Sequence, residues 1–184
     1  MEKKPKILIS AVSFFIISLC MIFYAESTSE ATPLLPQMVY GEMWNYTGDD
    51  ETKFITIPIL VSETYYNITC FECNDTFGIT CNNNHSLIVD YDGMYRIDWT
   101  ISLTGGINGA YGMGVALNGN IEKSRGCYAM RQVTSGIGNV GGTCILPMRK
   151  GDYVVMQIDD ETNPAAAAFF NQANFNMIRI GGLR

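Results

Sequence analysis

Four side chains that could bind a metal ion lie close together in the sequence. Cys70, Cys73, Cys81 and His85 have the spacing C-x2-C-x7-C-x3-H, and thiolates and imidazole nitrogens are the ligands of tetrahedral zinc sites. In proteins outside the cytoplasm, cysteines more often pair as disulfides. We therefore favour a local disulfide that leaves one odd thiol, which could link two copies of the chain. Zinc binding and free cysteines are the alternatives.

A second cysteine pair, Cys127 and Cys144, lies on two consecutive predicted strands that turn near Ser135-Gly136. In a hairpin centred there, positions whose numbers add up to 271 face each other, as 127 and 144 do. We expect a cross-strand disulfide, whose loop of about 18 residues would stabilise the fold by about 3 kcal/mol. The alternative is two buried free thiols.

Acid–base chemistry at neutral pH is limited because His85 is the single histidine. A Ser-His-Asp or Cys-His-Asn set would have to use this residue, beside a glycan acceptor and a cysteine-rich segment. Carboxylates at Asp90 and Asp92, at 159–161 and at 49–51 offer the oxygen ligands that calcium prefers. We interpret all three groups as solvated turns at strand ends. The sequence therefore predicts no catalytic residues, no enzyme and no cofactor, with calcium or zinc as the lesser alternatives.

A glycine-rich run at 136–141, GIGNVG, matches the dinucleotide fingerprint G-x-G-x-x-G. That fingerprint needs a strand before it and a helix after it. Because no helix is predicted here, we interpret the glycines as a loop and as positions of close strand packing.

Alternation of apolar and polar residues predicts the strands that carry these side chains. At 94–104, apolar residues occupy every second position, which indicates a sheet with one buried and one exposed face. Asp-Gly, Asn-Gly and similar turn residues, including Asn118-Gly119, separate the segments. Short strands at this spacing favour an all-β antiparallel sandwich or jelly roll. The predicted strands are 38–44, 53–61, 64–70, 86–91, 94–104, 111–118, 126–134, 138–147, 152–159 and 167–180.

The amino-terminal segment predicts attachment to a membrane or secretion. Residues 7–25 contain no charge and follow the basic flank MEKKPK, a length close to that of a membrane-spanning helix. We expect an uncleaved signal-anchor, with a cleaved signal peptide as the alternative. Residues 26–37 are predicted as a short stalk and 38–184 as one extracellular domain. The net charge is −6 and the body has no Lys/Arg cluster, which argues against a nucleic-acid partner.

Four Asn-x-Ser/Thr acceptors precede residue 87: Asn45, Asn67, Asn74 and Asn84. If the host glycosylates secreted proteins, they predict one outward face covered by sugar. The alternative is that an Asn/Thr-rich segment generates these triplets by chance.

Six short elements follow one another in a fixed order along residues 53–180: Thr64-Tyr65-Tyr66-Asn67, Gly93-Met94-Tyr95, Leu117-Asn118-Gly119, Gly142 to Leu146, Gly151-Asp152-Tyr153-Val154 and Phe175-Asn176-Met177. In these elements and their order, the chain resembles the jelly-roll superfamily of the complement component one-q globular head and the tumour necrosis factors. It differs in lacking a collagen stem and in its cysteine-rich insertion at 70–81. The resemblance implies an eight- to ten-stranded jelly roll that packs as a homotrimer and binds a ligand or receptor.

Aromatic side chains are the candidates for the threefold interface. We expect contributions from Phe169 and Phe170 in the run PAAAAFF, or from Tyr111, Tyr128 and Tyr153; burial in the core of one protomer is the alternative. The predicted function is that of a non-catalytic, extracellular or cell-surface trimeric module, with an unknown protein or glycan ligand. The alternative is a structural subunit of a viral or cellular surface appendage or filament.

Overall fold

A computed structural model describes residues 38–47, 54–69, 71–82, 85–104, 109–122, 127–133, 136–161 and 167–183. All of them belong to one compact unit, Met38–Arg184. The predicted membrane segment and stalk lie outside these residues, as do Cys70, Asn84 and the acidic run 49–51. Within the described part, no helix is long and apolar enough to cross a membrane.

The described residues form strands and no α-helix, which confirms the all-β prediction. Most predicted strands are present with shifted ends. The strands are β1 Tyr40–Tyr46, β2 Ile55–Ile57, β3 Tyr66–Asn67, β4 Glu72–Phe77, β5 Ile79–Asn82, β6 Ser86–Val89, β7 Gly93–Thr104, β8 Ala110–Leu117, β9 Tyr128–Gln132, β10 Gly138–Met148, β11 Tyr153–Asp160 and β12 Ala168–Gly181.

The strands form two antiparallel sheets of six strands each. Sheet A has the order β10-β7-β12-β1-β4, and β2 pairs with the start of β12. Sheet B has the order β5-β6-β11-β8-β9, and β3 pairs with β11. The strands at the ends of these orders are β10 and β4 in sheet A, and β9 and β5 in sheet B.

Alternating side chains of the two sheets fill the core. In β7 the apolar series Tyr95, Ile97, Trp99, Ile101 and Leu103 is at most 3% exposed, and the residues between them face away from the core. Sheet B contributes Met113, Val115, Met156 and Ile158 among others. The period of two thus separates a buried from an outward face, as expected for a sandwich.

Two strands, β4 and β5, were not predicted. Both belong to the cysteine-rich segment, which continues from the edge of sheet A to the edge of sheet B. Gly78 joins them with a φ of 65°, where a side chain would contact the Tyr91 ring. Because these strands are present, the described residues form twelve strands, more than the eight to ten that the resemblance implied.

The predicted hairpin around Ser135-Gly136 is wrong. The strand before the turn, β9, pairs with β8, whereas β10 after the turn pairs with β7. The chain therefore crosses from one sheet to the other at this turn, and no register between β9 and β10 exists.

Candidate binding pocket and surfaces

A pocket lies on the outward face of sheet B, where the turn after β8 folds back over the sheet. Asn118 and Gly119 have φ of 52° and 73°, as the predicted Asn-Gly turn requires. Asn118 donates through Nδ2 to Asp152 and accepts through Oδ1 from the amide of Tyr153. The turn thereby brings Ile121 onto the small outward cluster of Ala116 and Val155.

The pocket has a volume of about 280 Å³ and is lined by Tyr65, Ile121, Glu122 and Tyr128. The rings of Tyr65 and Tyr128 meet edge to face, with centroids 6.5 Å apart and planes at 81°. This geometry is favourable for two aromatic rings. It presents ring surface and hydroxyl groups on the same wall.

Because Gly112 has no side chain, two polar groups can pack over it beside the pocket. The Tyr128 hydroxyl and Asp159 Oδ1 both occupy the space that a side chain at Gly112 would fill. The Tyr128 hydroxyl donates a hydrogen bond of 3.0 Å to Glu161 Oε1. Two carboxyl groups and a phenol therefore meet over β8, although they lie far apart in the sequence.

Asp159 is the electrostatically unusual member of this group. It is 1% exposed, and its Oδ1 accepts no hydrogen bond from the described residues. Burial, and then the charge of Glu161 and a hydrogen bond to it, raise the pKa of Asp159 to about 7. The prediction that residues 159–161 form a solvated turn is wrong, because Asp159 and Asp160 belong to β11 and are buried.

The two tyrosines experience the same negative field. Burial raises the pKa of Tyr65, and the nearby Asp159 carboxylate adds to the rise. Burial and the hydrogen bond to Glu161 likewise raise the pKa of Tyr128. Both phenols therefore remain protonated at neutral pH, and the pocket is uncharged on its aromatic wall and acidic behind it.

The outward face of sheet A carries a row of four apolar side chains and one arginine, called here the apolar row. The register places the side chains of five strands in line across the sheet. Ile145 is 53% exposed and Tyr40 is 36% exposed. The row runs, in spatial order, through Phe77, Tyr40, Ile178, Arg96 and Ile145.

Polar side chains beside this row are hydrogen-bonded to one another. Glu42 accepts from Asn74 at 2.8 Å and from Asn174 at 2.6 Å. Asp98 accepts from Arg96 at 3.0 Å and from Thr143 at 2.5 Å. The carboxylates of this face thus have partners within the sheet, in contrast to Asp159 Oδ1.

Comparison with known proteins identifies the architecture. No protein-family model and no curated protein sequence matches the chain. The Eiger tumour necrosis factor of S. frugiperda aligns over 80% of this chain and 95% of its own, with a TM-score of 0.54 and 7% identity. Murine APRIL aligns over 78% of this chain and 100% of its own, with a TM-score of 0.50 and 10% identity. The chain has the tumour necrosis factor-like jelly-roll fold.

At such low identity the likeness concerns the fold alone, and at that level it confirms the resemblance noted in the sequence. Both disulfides that the sequence favours, a local one in the cysteine-rich segment and Cys127–Cys144, are present. Cys73 is bonded to Cys81, and Cys127 to Cys144. Cys73 and Cys81 are consequently not available to zinc, and no group of three or more metal-ligating side chains occurs among the described residues.

Both disulfides join sheet A to sheet B. Cys73 in β4 and Cys81 in β5 link one pair of sheet edges. Cys144 in β10 and Cys127, which directly precedes β9, link the opposite pair. The Cys127–Cys144 bond is therefore an inter-sheet link, and the cross-strand register from which we expected it does not exist.

The expected interface residues of the jelly roll are dispersed. Tyr111 and Phe170 are fully buried in the protomer's own core, so the prediction that they contact another copy is wrong. Phe169 packs edge to face on Phe54 at 6.4 Å, and Tyr128 lines the pocket. Tyr153 is partly exposed beside the Asn118 turn.

The expected glycan acceptors do not share one face. Asn67 is exposed in β3 of sheet B, and its Oδ1 accepts from Gln157 Nε2 at 2.9 Å. Asn74 is exposed in β4 of sheet A, whereas Asn45 is half-buried in β1. A single sugar-covered face is therefore wrong for the described acceptors.

The pocket residues were only partly visible to sequence reasoning. In the sequence, Tyr65 belongs to a motif element, Tyr128 is an interface candidate, and Asp159 belongs to a run that we interpret as a turn. The signal for Asp159 is its place at the end of VVMQIDD, where a carboxylate continues a strand whose residues from Val154 to Asp160 are all buried.

Proposed function

We propose that the chain is a non-catalytic extracellular module that assembles as a homotrimer and binds a protein or glycan ligand. Two disulfides within the described residues fit an oxidising compartment outside the cytoplasm. Residues 7–25 would attach the module to the membrane or direct its secretion. The shared fold with tumour necrosis factor-like proteins makes a ligand-binding role the natural expectation.

The exposed apolar row on sheet A is the observation that carries self-association. It crosses five strands, a span of about 19 Å at about 4.8 Å between strands. Contiguous exposed apolar side chains rimmed by polar residues typically mark an interaction site. Burying Tyr40, Ile145 and Phe77 against another copy would remove their apolar surface from water, which is favourable at about 25 cal/mol per Å².

Light scattering of the full chain in mild detergent tests the assembly. We expect a trimer for the wild type and a monomer for Tyr40→Asp, because a charge between Phe77 and Ile178 would be buried without a partner. Leu60→Asp is the matched control, since Leu60 is an exposed apolar residue outside the row. A monomeric wild type at micromolar concentration would overturn the proposal.

Electron microscopy of the same material separates a closed trimer from the alternative, a filament subunit. A closed threefold assembly leaves no free interface, whereas a head-to-tail contact that does not close continues into a fibre. Discrete particles support the module, and fibres would replace it with the structural role.

A further inference from the structure

Asp159 differs from the carboxylates on the outward face of sheet A and from those near the Lys150 turn. Glu42 and Asp98 accept hydrogen bonds from neighbouring strands, and Asp92 and Asp152 accept them from backbone amides near the Lys150 turn. Asp159 is more buried than these four carboxylates, yet its Oδ1 accepts no hydrogen bond from the described residues. A buried oxygen of this kind costs free energy unless a donor reaches it.

The groups around Asp159 are acceptors or weak acids. Glu161, directly after β11, interacts with it, as does Tyr128 on β9, and Tyr65 and Glu122 belong to the same electrostatic group. The backbone amide of Gly112, on β8, opposes the rise of the Asp159 pKa. No cationic side chain contributes to these shifts. The missing component is therefore a positive group with several hydrogen-bond donors.

The adjoining cavity has the lining that such a group needs. Its volume is about 280 Å³, and Tyr65 and Tyr128 present aromatic rings to it, which attract cations. Ile121 supplies an apolar wall for a hydrocarbon stem. Glu122 places a carboxylate in the same lining, and Glu161 accepts from the Tyr128 hydroxyl behind it.

We propose that this pocket binds a primary ammonium group, carried by a lysine of a protein partner or by a free alkylamine. The ammonium group has three donors and no acceptor, which matches a site composed of carboxylates, phenols and ring faces. The lysine form of the inference rests on the proposed ligand-binding role. The pocket lies on sheet B, away from the outward face of sheet A that carries the apolar row.

Binding of the cation is coupled to the loss of a proton. Below about pH 7 the Asp159 carboxyl group holds a proton next to Glu161, and an ammonium group bound in the adjoining pocket favours the loss of that proton. The proton leaves to the buffer, so affinity rises with pH and binding near pH 7 releases a fraction of a proton. A neutral ligand of the same shape would show neither effect.

Isothermal titration calorimetry of the full chain with N-acetyl-lysine methylamide tests this inference. We expect binding at pH 8, at least about fivefold weaker binding at pH 5.5, and none by the norleucine analogue, which has the same stem without the ammonium group. Butylamine distinguishes the two sources: equal affinity indicates a free-amine site, and at least about tenfold weaker affinity indicates a lysine in a peptide. Equal binding by the lysine and norleucine compounds would overturn the inference.

Two variants and one control connect the result to the pocket. Asp159→Asn should bind at least about fivefold more weakly at pH 8 and lose the pH dependence. Tyr65→Leu, which leaves the carboxylates in place, should weaken binding through loss of ring surface. Asp75→Asn, at an exposed position of β4, should bind as the wild type does; unchanged binding by Asp159→Asn would overturn the inference.

Measurements on the same samples distinguish failure of amine binding from failure of trimer formation. Circular dichroism with β-sheet bands shows that each variant is folded, and light scattering gives its oligomeric state. A wild-type trimer that binds no amine would overturn only the present inference. A monomer that binds the lysine compound would overturn only the trimer.

Discussion

Single residues around Gly112 determine the character of the pocket. A carboxyl group is stable inside a protein when it is paired, hydrogen-bonded or protonated. For Asp159, burial beside Glu161 favours the protonated form, because two carboxylates in contact repel each other. Glu161 in turn accepts a hydrogen bond from the Tyr128 hydroxyl. Protonation and ligand binding are therefore alternative ways to satisfy one site.

The pKa of Asp159 predicts a specific pH dependence of stability. Folding raises it from 3.8 to about 7, so the folded chain binds the proton more tightly than the unfolded chain. The resulting stabilisation is complete below about pH 4 and is lost as the pH rises through 7. Asp159→Asn should flatten the wild-type decrease in unfolding free energy between pH 5 and pH 8, and should be the more stable protein at pH 8.

Urea unfolding at fixed protein concentration measures this difference at each pH. Asp75→Asn, which removes an exposed carboxylate in β4, should retain the wild-type slope. If Asp159→Asn and the wild type lose the same free energy between pH 5 and pH 8, Asp159 is not the titrating group.

Gly112 predicts a steric effect at the same place. A methyl group there would overlap the Tyr128 hydroxyl and Asp159 Oδ1, and overpacking of this kind costs about 1–3 kcal/mol. Gly112→Ala should therefore lower the unfolding free energy and weaken lysine binding. Gly181→Ala is the matched control, since nothing lies within 4 Å of the added atom. Equal stability of the two variants would contradict the close packing over β8.

Each disulfide links an edge of sheet A to an edge of sheet B. The β4–β5 pair and the β9–β10 pair lie at opposite sides of the sandwich, and each is bridged from sheet A to sheet B. Arg131 adds a polar contact on one side, where its guanidinium donates to the carbonyl of Leu103 at 2.6 Å. The sandwich is therefore closed covalently at both open sides.

Removing the two disulfides one at a time should lower the free energy of unfolding by unequal amounts. Cys127→Ala/Cys144→Ala opens a loop of about 18 residues, worth about 3 kcal/mol, and Cys73→Ala/Cys81→Ala one of about 9 residues, worth about 2.5 kcal/mol. Cys127 is also fully buried, so its truncation leaves a cavity and widens the difference. Urea unfolding of both double variants checks the order; a larger loss for Cys73/Cys81 would contradict it.

The fold was predictable where the residue pattern is local. The alternation in β7 and β12 predicts two strands with one buried face, and both are central in sheet A. β4 was missed because ECNDTF is exposed at every position and is held by pairing with β1 and by a disulfide. The β9–β10 hairpin was wrongly predicted because neighbouring strands of a sandwich often belong to different sheets.

The pocket was less predictable than the fold for the same reason. Its lining comes from residues 65, 121, 122 and 128, and antiparallel pairing of β8 with β9 and β11 places residues 112 and 159 beside it. No spacing rule along the chain connects a tyrosine with an aspartate about ninety residues away. Only the register of the strands makes them neighbours.

The outward faces of the two sheets have different properties. Sheet A presents the apolar row with its hydrogen-bonded polar neighbours, and sheet B presents the acidic, tyrosine-lined pocket. A trimer formed through sheet A would leave the pocket of each copy open to a partner. Three identical pockets would then bind a multivalent partner more tightly than one pocket can.

Glycan occupancy gives a prediction at this scale. Asn74 donates to Glu42 on the outward face of sheet A, next to the row that contains Tyr40, so a sugar there would obstruct the proposed contact. Asn67 is exposed on sheet B and leaves that contact free. In a secreting host that glycosylates, trimers should carry sugar at Asn67 and none at Asn74, and chains modified at Asn74 should be monomeric. Peptide mapping by mass spectrometry of the two size fractions measures this.

Thr76→Ala, which removes the acceptor at Asn74, should raise the trimer fraction, and Thr69→Ala, which removes the one at Asn67, should leave it unchanged. Trimers fully glycosylated at Asn74 would show that the copies meet through another face.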